Sequence, residues 1–231
     1  MATNKQKWPD NLVIVRHGES VKNVERARVE QFDSNKLKLD ITERDMDIEL
    51  SEKGRWQAIA TGKALAKRPK FDVVFISPYV RCRQTADLII EQLGYSPRIV
   101  VEERLREKEF GVVENLTKKG IAKFYPEEWG RRERDGKYYY RPAGGESYPD
   151  VGLRVHSFLG TLAREYRGKN VLIVCHSVVV KMFRKLLERM EEKDVLAIDQ
   201  TEDVTNASVT TYSYEGKEEK LKLKEYNRTF H

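Results

Sequence analysis

The sequence has little cysteine and no long apolar run. Its 231 residues include two cysteines, Cys82 and Cys175, too few for the disulfide framework of a small secreted domain. No apolar run approaches the roughly 18–20 residues that a membrane-spanning helix needs. The first ten residues, MATNKQKWPD, lack the apolar segment of a signal peptide. These absences predict a cytoplasmic protein with no membrane association.

The sequence also lacks a marked excess of either charge. Lys and Arg total 43 while Asp and Glu total 37, so the net charge is only +6. Basic and acidic residues alternate, as in EGKEEKLKLKEY. Nucleic-acid-binding proteins more often carry a basic stripe with aromatic residues between the charges. We therefore expect no nucleic-acid partner, whereas the small positive excess suits a small anionic substrate.

Apolar strand candidates alternate with helix candidates along most of the chain. The strands are NLVIV, FDVVFI, PRIVVE and NVLIVC, followed by NASVTTYSYE and KLKLKEY near the end. Helices are predicted over 52–67 with Ser51 as N-cap, over 79–94, from Ser147 onward with Asp150 in a capping-box pattern, and over 178–190. This alternation predicts an α/β protein, a three-layer α/β/α sandwich with a largely parallel central sheet. Because no linker or repeat divides the chain, residues 1–231 are predicted to form a single domain.

Two segments lack clear periodicity. The first, residues 25–49, is polar and is expected to be a surface excursion with at most a short helix. The second, residues 105–142, is expected to be irregular, with a short helix around 118–125.

Three predicted strands run directly into polar residues. Arg16 and His17 follow the first strand, Arg81 lies shortly after the second, and His176 follows NVLIVC. Ligands of open parallel sheets bind beyond the carboxyl ends of the strands, so two histidines and two arginines should gather at one edge. A lone histidine at a strand end is most often structural. Two of them accompanied by arginines favour a functional site.

These residue types suit phosphoryl transfer. The guanidinium group bonds two phosphate oxygens at once, and a neutral imidazole can attack phosphorus. Cationic groups around the phosphoryl oxygens also stabilise the charge of the transition state. The pattern therefore predicts a phosphohistidine intermediate. Since the histidines show no metal-ligand spacing with carboxylates, we expect neither a metal nor another cofactor.

A series of ordered motifs resembles a known family. RHGES, followed by Asn23, and then LSEKGRWQA, SPYVRCRQTA, LREKEFG, GGES and VLIVCHS are similar to the motifs of the histidine phosphatase superfamily. This superfamily contains acid phosphatases, fructose-2,6-bisphosphatases and phosphoglycerate mutases. The resemblance covers about 11–187 and implies that His17 is the nucleophile. The other members of the implied phosphate pocket are Arg16, Arg81, His176 and Asn23.

The resemblance also selects a proton donor. LREKEFG contains Glu107 and Glu109, and the family places its acid four residues before the glycine of this motif, here Gly111. This position selects Glu107. Its implied role is to protonate the leaving oxygen and then to deprotonate the attacking water.

The stretch from YPEEWG to GGESYPDV resembles fructose-2,6-bisphosphatases and broad-range acid phosphatases equally. By that match, an insertion at about 112–148 covers the substrate, although KYYYR is equally well read as an ordinary strand or packing segment. Two positions depart from the family: Ser177 stands where Gly or Gln usually follows the second histidine, and Lys181 stands where bisphosphatases carry Arg. Lysine lacks the bidentate fork, so specificity for fructose 2,6-bisphosphate is not implied. The expected substrate-binding residues are Asn23, Tyr125, Arg132, Lys137, Tyr148, Ser177 and Lys181.

Hydrolysis of small phosphomonoesters, sugar phosphates among them, is the function we expect, and three alternatives stay open. A cofactor-dependent phosphoglycerate mutase shares LSEKG, but mutases usually carry a Gly-Trp element soon after RHGES, and the longer interval here lacks it. A non-catalytic phospho-ligand-binding protein is disfavoured because the catalytic positions are intact. A thiol mechanism at Cys175 would require an arginine after five intervening residues, where Lys181 stands.

Overall fold

The computed structural model describes residues 6–201 and 203–231. Six strands form one sheet in the order β3-β2-β4-β1-β5-β6. They are β1 (Asn11–Arg16), β2 (Val73–Ile76), β3 (Arg98–Val101), β4 (Asn170–Cys175), β5 (Val209–Glu215) and β6 (Lys220–Arg228). In the sheet, β3, β2, β4 and β1 pair with their neighbours in parallel, while β5 pairs antiparallel with both β1 and β6. The predicted α/β fold with a largely parallel sheet is confirmed.

Helices cover both faces of the sheet. They are α1 (Val21–Phe32), α2 (Glu52–Leu65), α3 (Val80–Leu93), α4 (Lys118–Phe124), α5 (Pro126–Tyr139), α6 (Tyr148–Glu165), α7 (Ser177–Glu188) and α8 (Glu192–Thr201). Helices α2 and α3 pack on the face that carries Val13 and Val15, whereas α6 and α7 pack on the face of Leu12 and Ile14. Because β1 and β4 are buried on both faces, they are continuous apolar runs without alternation.

Several helix ends follow local sequence signals. The Ser51 side chain accepts a hydrogen bond from Gly54 N at the start of α2. Ser147 and Asp150 form a reciprocal capping box at the start of α6. Gly94 ends α3 in the left-handed conformation, with φ at 72°. These three predicted boundaries are confirmed.

The polar segments are more helical than expected. Helix α1 occupies 12 residues that overlap the predicted surface excursion, and α8 had no sequence prediction. Helix α5 spans 14 residues with a kink at Gly136, so KYYYR is not a strand. The α5 region is held by Glu128, a buried residue of that helix, which accepts a hydrogen bond from Tyr140 Oη at 2.8 Å. Such polar anchoring produces no apolar periodicity in the sequence. Within 6–201 and 203–231, no helix combines the length and apolar character required to cross a bilayer.

Candidate active site

The parallel pairing of β1 with β4 brings the two strand-end histidines together. His17 N donates to the Cys175 carbonyl at 2.9 Å, which continues the strand register past Arg16. The His17 and His176 rings lie edge to face with their centroids 5.2 Å apart. Both side chains are buried, with 4% and 0% exposure.

The turn after His17 is shaped by close backbone approach. A Cβ atom at Gly18 would lie 2.4 Å from the carbonyl oxygen of Gly54, so no larger residue fits there without movement. The Gly18 N–H donates to Thr85 Oγ1 at 3.0 Å. Glu19 N donates to Gln57 Oε1 at 2.9 Å. These contacts fix the RHGES turn against α2 and α3 and so hold His17 in place.

The His17 ring is oriented by its own turn. Its Nδ1 lies 2.7 Å from the Gly18 carbonyl oxygen, which can only accept, so Nδ1 carries the proton and Nε2 keeps a free lone pair. Burial is the main cause that lowers the pKa of His17 well below 6.5, and Arg81 and Arg16 lower it further. The ring is therefore neutral and nucleophilic near pH 7.

Arg16 brings an unsatisfied donor to this site. One of its Nη groups donates to the Val204 carbonyl, in the loop that leads to β5. Its Nε is buried and has no hydrogen-bond partner among the described residues. A buried guanidinium N–H without a partner is costly, and an anion bound at this edge of the sheet would satisfy it.

Arg81 is held by Asp45, a residue to which sequence reasoning assigned no role. The Asp45 carbonyl oxygen accepts from Arg81 Nη1 at 2.5 Å, and its carboxylate accepts from Nη2 at 2.9 Å. Lys22 Nζ lies 2.8 Å from the other carboxylate oxygen. Burial alone would raise the pKa of Asp45, but Arg81 and Lys22 lower it to about 2. Asp45 therefore orients Arg81 as a permanent anion, and the remaining N–H groups of the fork are left for a ligand.

Glu107 reaches the same cavity on a constrained loop. Gly111, four residues later, has a φ of 53°, and a Cβ there would lie 2.1 Å from the Ala143 carbonyl oxygen. Arg154 Nη2 donates to the Glu107 carbonyl at 3.1 Å and pairs with Glu146 of the GGES motif. The Glu107 carboxylate accepts from Lys108 N, and no cation of the described chain lies within ion-pair distance of it. Burial raises its pKa above 4.5, so it keeps a proton more readily than an exposed glutamate.

The two cysteines lie beside His176 without forming a disulfide. Ser77 Oγ is 2.8 Å and Cys82 Sγ is 3.4 Å from His176 Nε2. Burial raises the pKa of Cys82 to about 12 and that of Cys175 well above 9. Both thiols are buried and protonated, which is the opposite of a reactive cysteine.

A cavity of about 700 Å³ opens over these groups. Its walls include Arg16, His17, Arg81 and Glu107, so four of the five predicted catalytic residues meet there, and Asn23 lines it as well. The fifth, His176, contacts the His17 ring but is fully buried and outside the cavity lining of the described residues. Asn23 also helps to cap the start of α1, because its Oδ1 accepts from the N–H of the N-cap residue Ser20 at 3.1 Å. Across 6–201 and 203–231, no group of three or more His, Cys, Asp or Glu side chains could hold a metal ion.

The expected substrate-binding residues divide into two groups. Those that line the cavity are Asn23, Arg132, Lys137, Tyr148, Ser177 and Lys181. Tyr125 lies between α4 and α5, outside the cavity lining of the described chain. Lys137, Tyr148 and Lys181 do not project freely, because each contacts the carboxylate of Asp199 from α8. Ser177 Oγ donates to Asp203 at 3.0 Å.

The cavity also contains a lysine that sequence reasoning missed. Lys108 is 6% exposed, and its ammonium group lies 4.5 Å from the centroid of the Phe110 ring. No acidic side chain of the described residues pairs with it or with Arg132. Burial is the main cause that lowers the pKa of Lys108 to about 8. Its place directly after Glu107 in the quoted LREKEFG motif was the only available sequence signal.

Most of the chain matches the model of a known protein family. The model of the histidine phosphatase superfamily (branch 1) matches residues 12–227. The chain belongs to the histidine phosphatase superfamily. The family expected from the ordered motifs is thereby confirmed.

Individual relatives in the superfamily carry different activities in their names. A 2,3-bisphosphoglycerate-dependent phosphoglycerate mutase of Rhizobium johnstonii is 32% identical over 196 residues, covering 81% of this chain and 84% of the mutase. A mycobacterial glucosyl-3-phosphoglycerate phosphatase, solved with VO3, is 26% identical with a TM-score of 0.70, covering 95% and 100% of the two chains. An Escherichia coli putative alpha-ribazole-5'-P phosphatase shares the fold, with a TM-score of 0.75, 20% identity, and coverage of 94% and 96%. Histidine phosphatase relatives thus include both phosphatases and mutases.

Proposed function

We propose that this histidine phosphatase hydrolyses small phosphomonoesters through a phosphohistidine on His17. The observation that carries the proposal is the neutral, buried His17 ring, whose Nδ1 is bound to Gly18 and whose Nε2 is free beside Arg16 and Arg81. The mycobacterial phosphatase, at 26% identity over nearly the whole chain, supports the same activity. We further propose that residues 1–231 make up a single catalytic domain.

The first step transfers the phosphoryl group to the enzyme. His17 Nε2 attacks phosphorus, so an N–P bond forms while the bond to the leaving oxygen breaks. Glu107 gives its proton to that oxygen, and the alcohol departs. Arg16 and Arg81 flank the phosphoryl group, where their guanidinium groups stabilise its charge, and His176 is assigned to the support of the His17 ring that it contacts.

The second step returns the enzyme to its starting state. The Glu107 carboxylate accepts a proton from water, whose oxygen attacks phosphorus as the N–P bond breaks. Inorganic phosphate leaves, His17 regains its neutral ring and Glu107 regains its proton. The low exposure of His17 limits hydrolysis to water admitted through the cavity.

The remainder of the substrate is assigned to the cavity above Glu107. Residues 112–148 form one side of it, and Asn23, Arg132, Lys137, Tyr148, Ser177 and Lys181 line it together with Lys108. Tyr125 is assigned a supporting position between α4 and α5. Sugar phosphates, as in the fructose-2,6-bisphosphatase branch, are the proposed substrate class. A cytoplasmic location fits two free thiols that are buried and unpaired.

Phosphate release from a panel of sugar phosphates, phosphoglycerates and phosphoamino acids tests this function. We expect steady release from at least one sugar monophosphate, and no release from any member would contradict the proposal. The 32% identity to the Rhizobium mutase makes phosphoglycerate mutase the second candidate. Conversion of 3- to 2-phosphoglycerate with 2,3-bisphosphoglycerate, faster than phosphate release from any panel member, would establish the mutase instead.

A further inference from the structure

Asp199 in α8 neutralises positive charge on one wall of the cavity, the wall formed by Lys137, Lys181, Asp199 and Asp203. Its carboxylate faces Lys137 Nζ at 2.6 Å, accepts from Tyr148 Oη at 2.8 Å and pairs with Lys181. The Asp199 side chain is 5% exposed, so water screens these contacts poorly. Three residues expected to bind substrate thus bind a single acidic side chain.

The charges on this wall balance. Lys181 also lies 2.7 Å from Asp203, so two lysines face two carboxylates. Burial alone would raise the pKa of Asp199, but Lys181 and Lys137 lower it below 3.8. The pKa of Asp203 is likewise lowered by Lys181 against the effect of burial. Both carboxylates are therefore ionised at neutral pH, and the wall carries no net charge.

A second part of the cavity lining differs in charge. Lys108 and Arg132 also line the cavity, and neither has an acidic partner within ion-pair distance among the described residues. The cavity therefore has a cationic wall near Glu107 and a neutralised wall formed by Lys137, Lys181, Asp199 and Asp203. A phosphate group placed against the neutralised wall would displace Asp199 from its lysines or face it as a like charge.

We propose that Asp199 is a specificity-determining residue that selects monophosphates with an uncharged, hydroxyl-bearing group at this wall and excludes a second phosphate there. This inference rests on the proposed function, because the phosphoryl group that reacts must lie at His17. Lys137 and Asp203 are 44% and 57% exposed, so they can exchange hydrogen bonds with sugar hydroxyls. Specificity built on an unfavourable contact with the wrong ligand is a general device of binding sites.

The test compares glucose 1-phosphate and glucose 6-phosphate with glucose 1,6-bisphosphate. In Asp199→Asn the two lysines lose their shared anion. The kcat/KM for the bisphosphate should then rise about tenfold relative to both monophosphates, mainly through KM. The gain should shrink at high ionic strength. Glu191→Gln is the matched control, since this exposed residue pairs only with Lys193 among the described residues and its loss changes the net charge equally. An unchanged ratio in Asp199→Asn would overturn the inference and indicate that the second phosphate binds elsewhere, such as at Lys108 and Arg132.

Two further measurements keep the test decisive. Should Asp199→Asn fail to fold, Lys137→Gln gives the opposite change at a partly exposed position: surplus negative charge should lower the bisphosphate ratio about tenfold. No change there would equally overturn the inference. Calorimetric Kd values for the same three sugars in a His17→Ala background measure selectivity without turnover. Absence of hydrolysis by the unaltered chain would thus contradict the proposed function, while the Kd ratios still decide the role of Asp199.

Discussion

The His17 and His176 rings meet edge to face, with 5.2 Å between their centroids, although 158 residues separate them in the chain. Neighbouring parallel strands place them there, and both are buried. Burial lowers both pKa values well below 6.5, and Arg81 contributes in each case. Two neutral rings next to two arginines form a site in which a nucleophile is available while the positive charge is carried by guanidinium groups.

Replacement of His17 by alanine should abolish turnover. Without Nε2 no phosphohistidine can form, so hydrolysis of p-nitrophenyl phosphate should fall at least about a thousandfold. The matched control is His156→Ala, an exposed histidine of α6 that should retain full activity. Circular dichroism should show that both variants fold. In the unaltered chain, rapid quenching should trap a phosphoenzyme that is labile in acid and stable in alkali. Retained turnover in His17→Ala would exclude this mechanism.

Glu107 and Glu109 can be separated by the leaving group. Glu107→Gln removes the proton donor, so phenyl phosphate hydrolysis should fall about 10²–10⁴-fold. Hydrolysis of p-nitrophenyl phosphate should fall less, because its leaving oxygen needs little protonation. Glu109→Gln is the control: that side chain is 46% exposed, accepts from Tyr79 and should be nearly silent. A larger effect at Glu109 would reverse the assignment.

The strand-end histidines were predictable because their signals are local. An apolar run ending in a polar pair defines both β1 and β4, and the parallel sheet requires their ends to meet. Glu107 was selected only through the motif that surrounds Gly111. In contrast, Asp45 and Asp199 act through ion pairs with residues 36 and 18 positions away in sequence, and no pattern in a polar segment identifies such partners.

The secondary structure follows the same division. Helices with an apolar face, such as α6, were predicted with their caps, because packing and capping are both readable from spacing. Helices α5 and α8 were not, since each buries only two residues. In the cavity, sequence reasoning identified Lys137 and Lys181 but not Asp199, the residue whose carboxylate forms ion pairs with both.

The pH dependence of kcat/KM should reflect two opposite pKa shifts. Activity requires neutral His17, so its lowered pKa moves the acid limb well below pH 6.5. Activity also requires protonated Glu107, so its raised pKa moves the basic limb above 4.5. The profile should therefore fall as pH rises through the Glu107 pKa, and Glu107→Gln should abolish this fall. Ionisation of the substrate affects the pH profiles of the unaltered chain and of Glu107→Gln equally, so the comparison isolates the Glu107 contribution. A basic limb that persists unchanged in the variant would assign it to another group.

Alkylation should leave the enzyme active. Cys82 and Cys175 are fully buried, and their raised pKa values keep them as thiols, whereas iodoacetamide reacts with exposed thiolates. Phosphate release should be unchanged after incubation with the reagent. Mass spectrometry should detect labelling of both residues only after unfolding in urea, which serves as the positive control. Rapid inactivation of the folded protein would instead support thiol chemistry at Cys175.

Arg154 should act as a positioning residue for the proton donor. Its guanidinium group donates to the carbonyl oxygens of Arg104 and Glu107 and pairs with both carboxylate oxygens of Glu146. Lysine keeps the charge but cannot make this planar set of bonds, so Arg154→Lys should destabilise the fold by about 1–2 kcal/mol.

The kinetic effect of Arg154→Lys should distinguish positioning from general destabilisation. A displaced Glu107 should lower kcat for phenyl phosphate more than for p-nitrophenyl phosphate, with KM little changed. Arg164→Lys is the control, because the side chain of that exposed residue of α6 donates a hydrogen bond only to Thr161 among the described residues. Chemical denaturation and steady-state kinetics on both substrates provide the two readouts. Equal losses on both substrates would mean that Arg154 supports the fold without orienting Glu107.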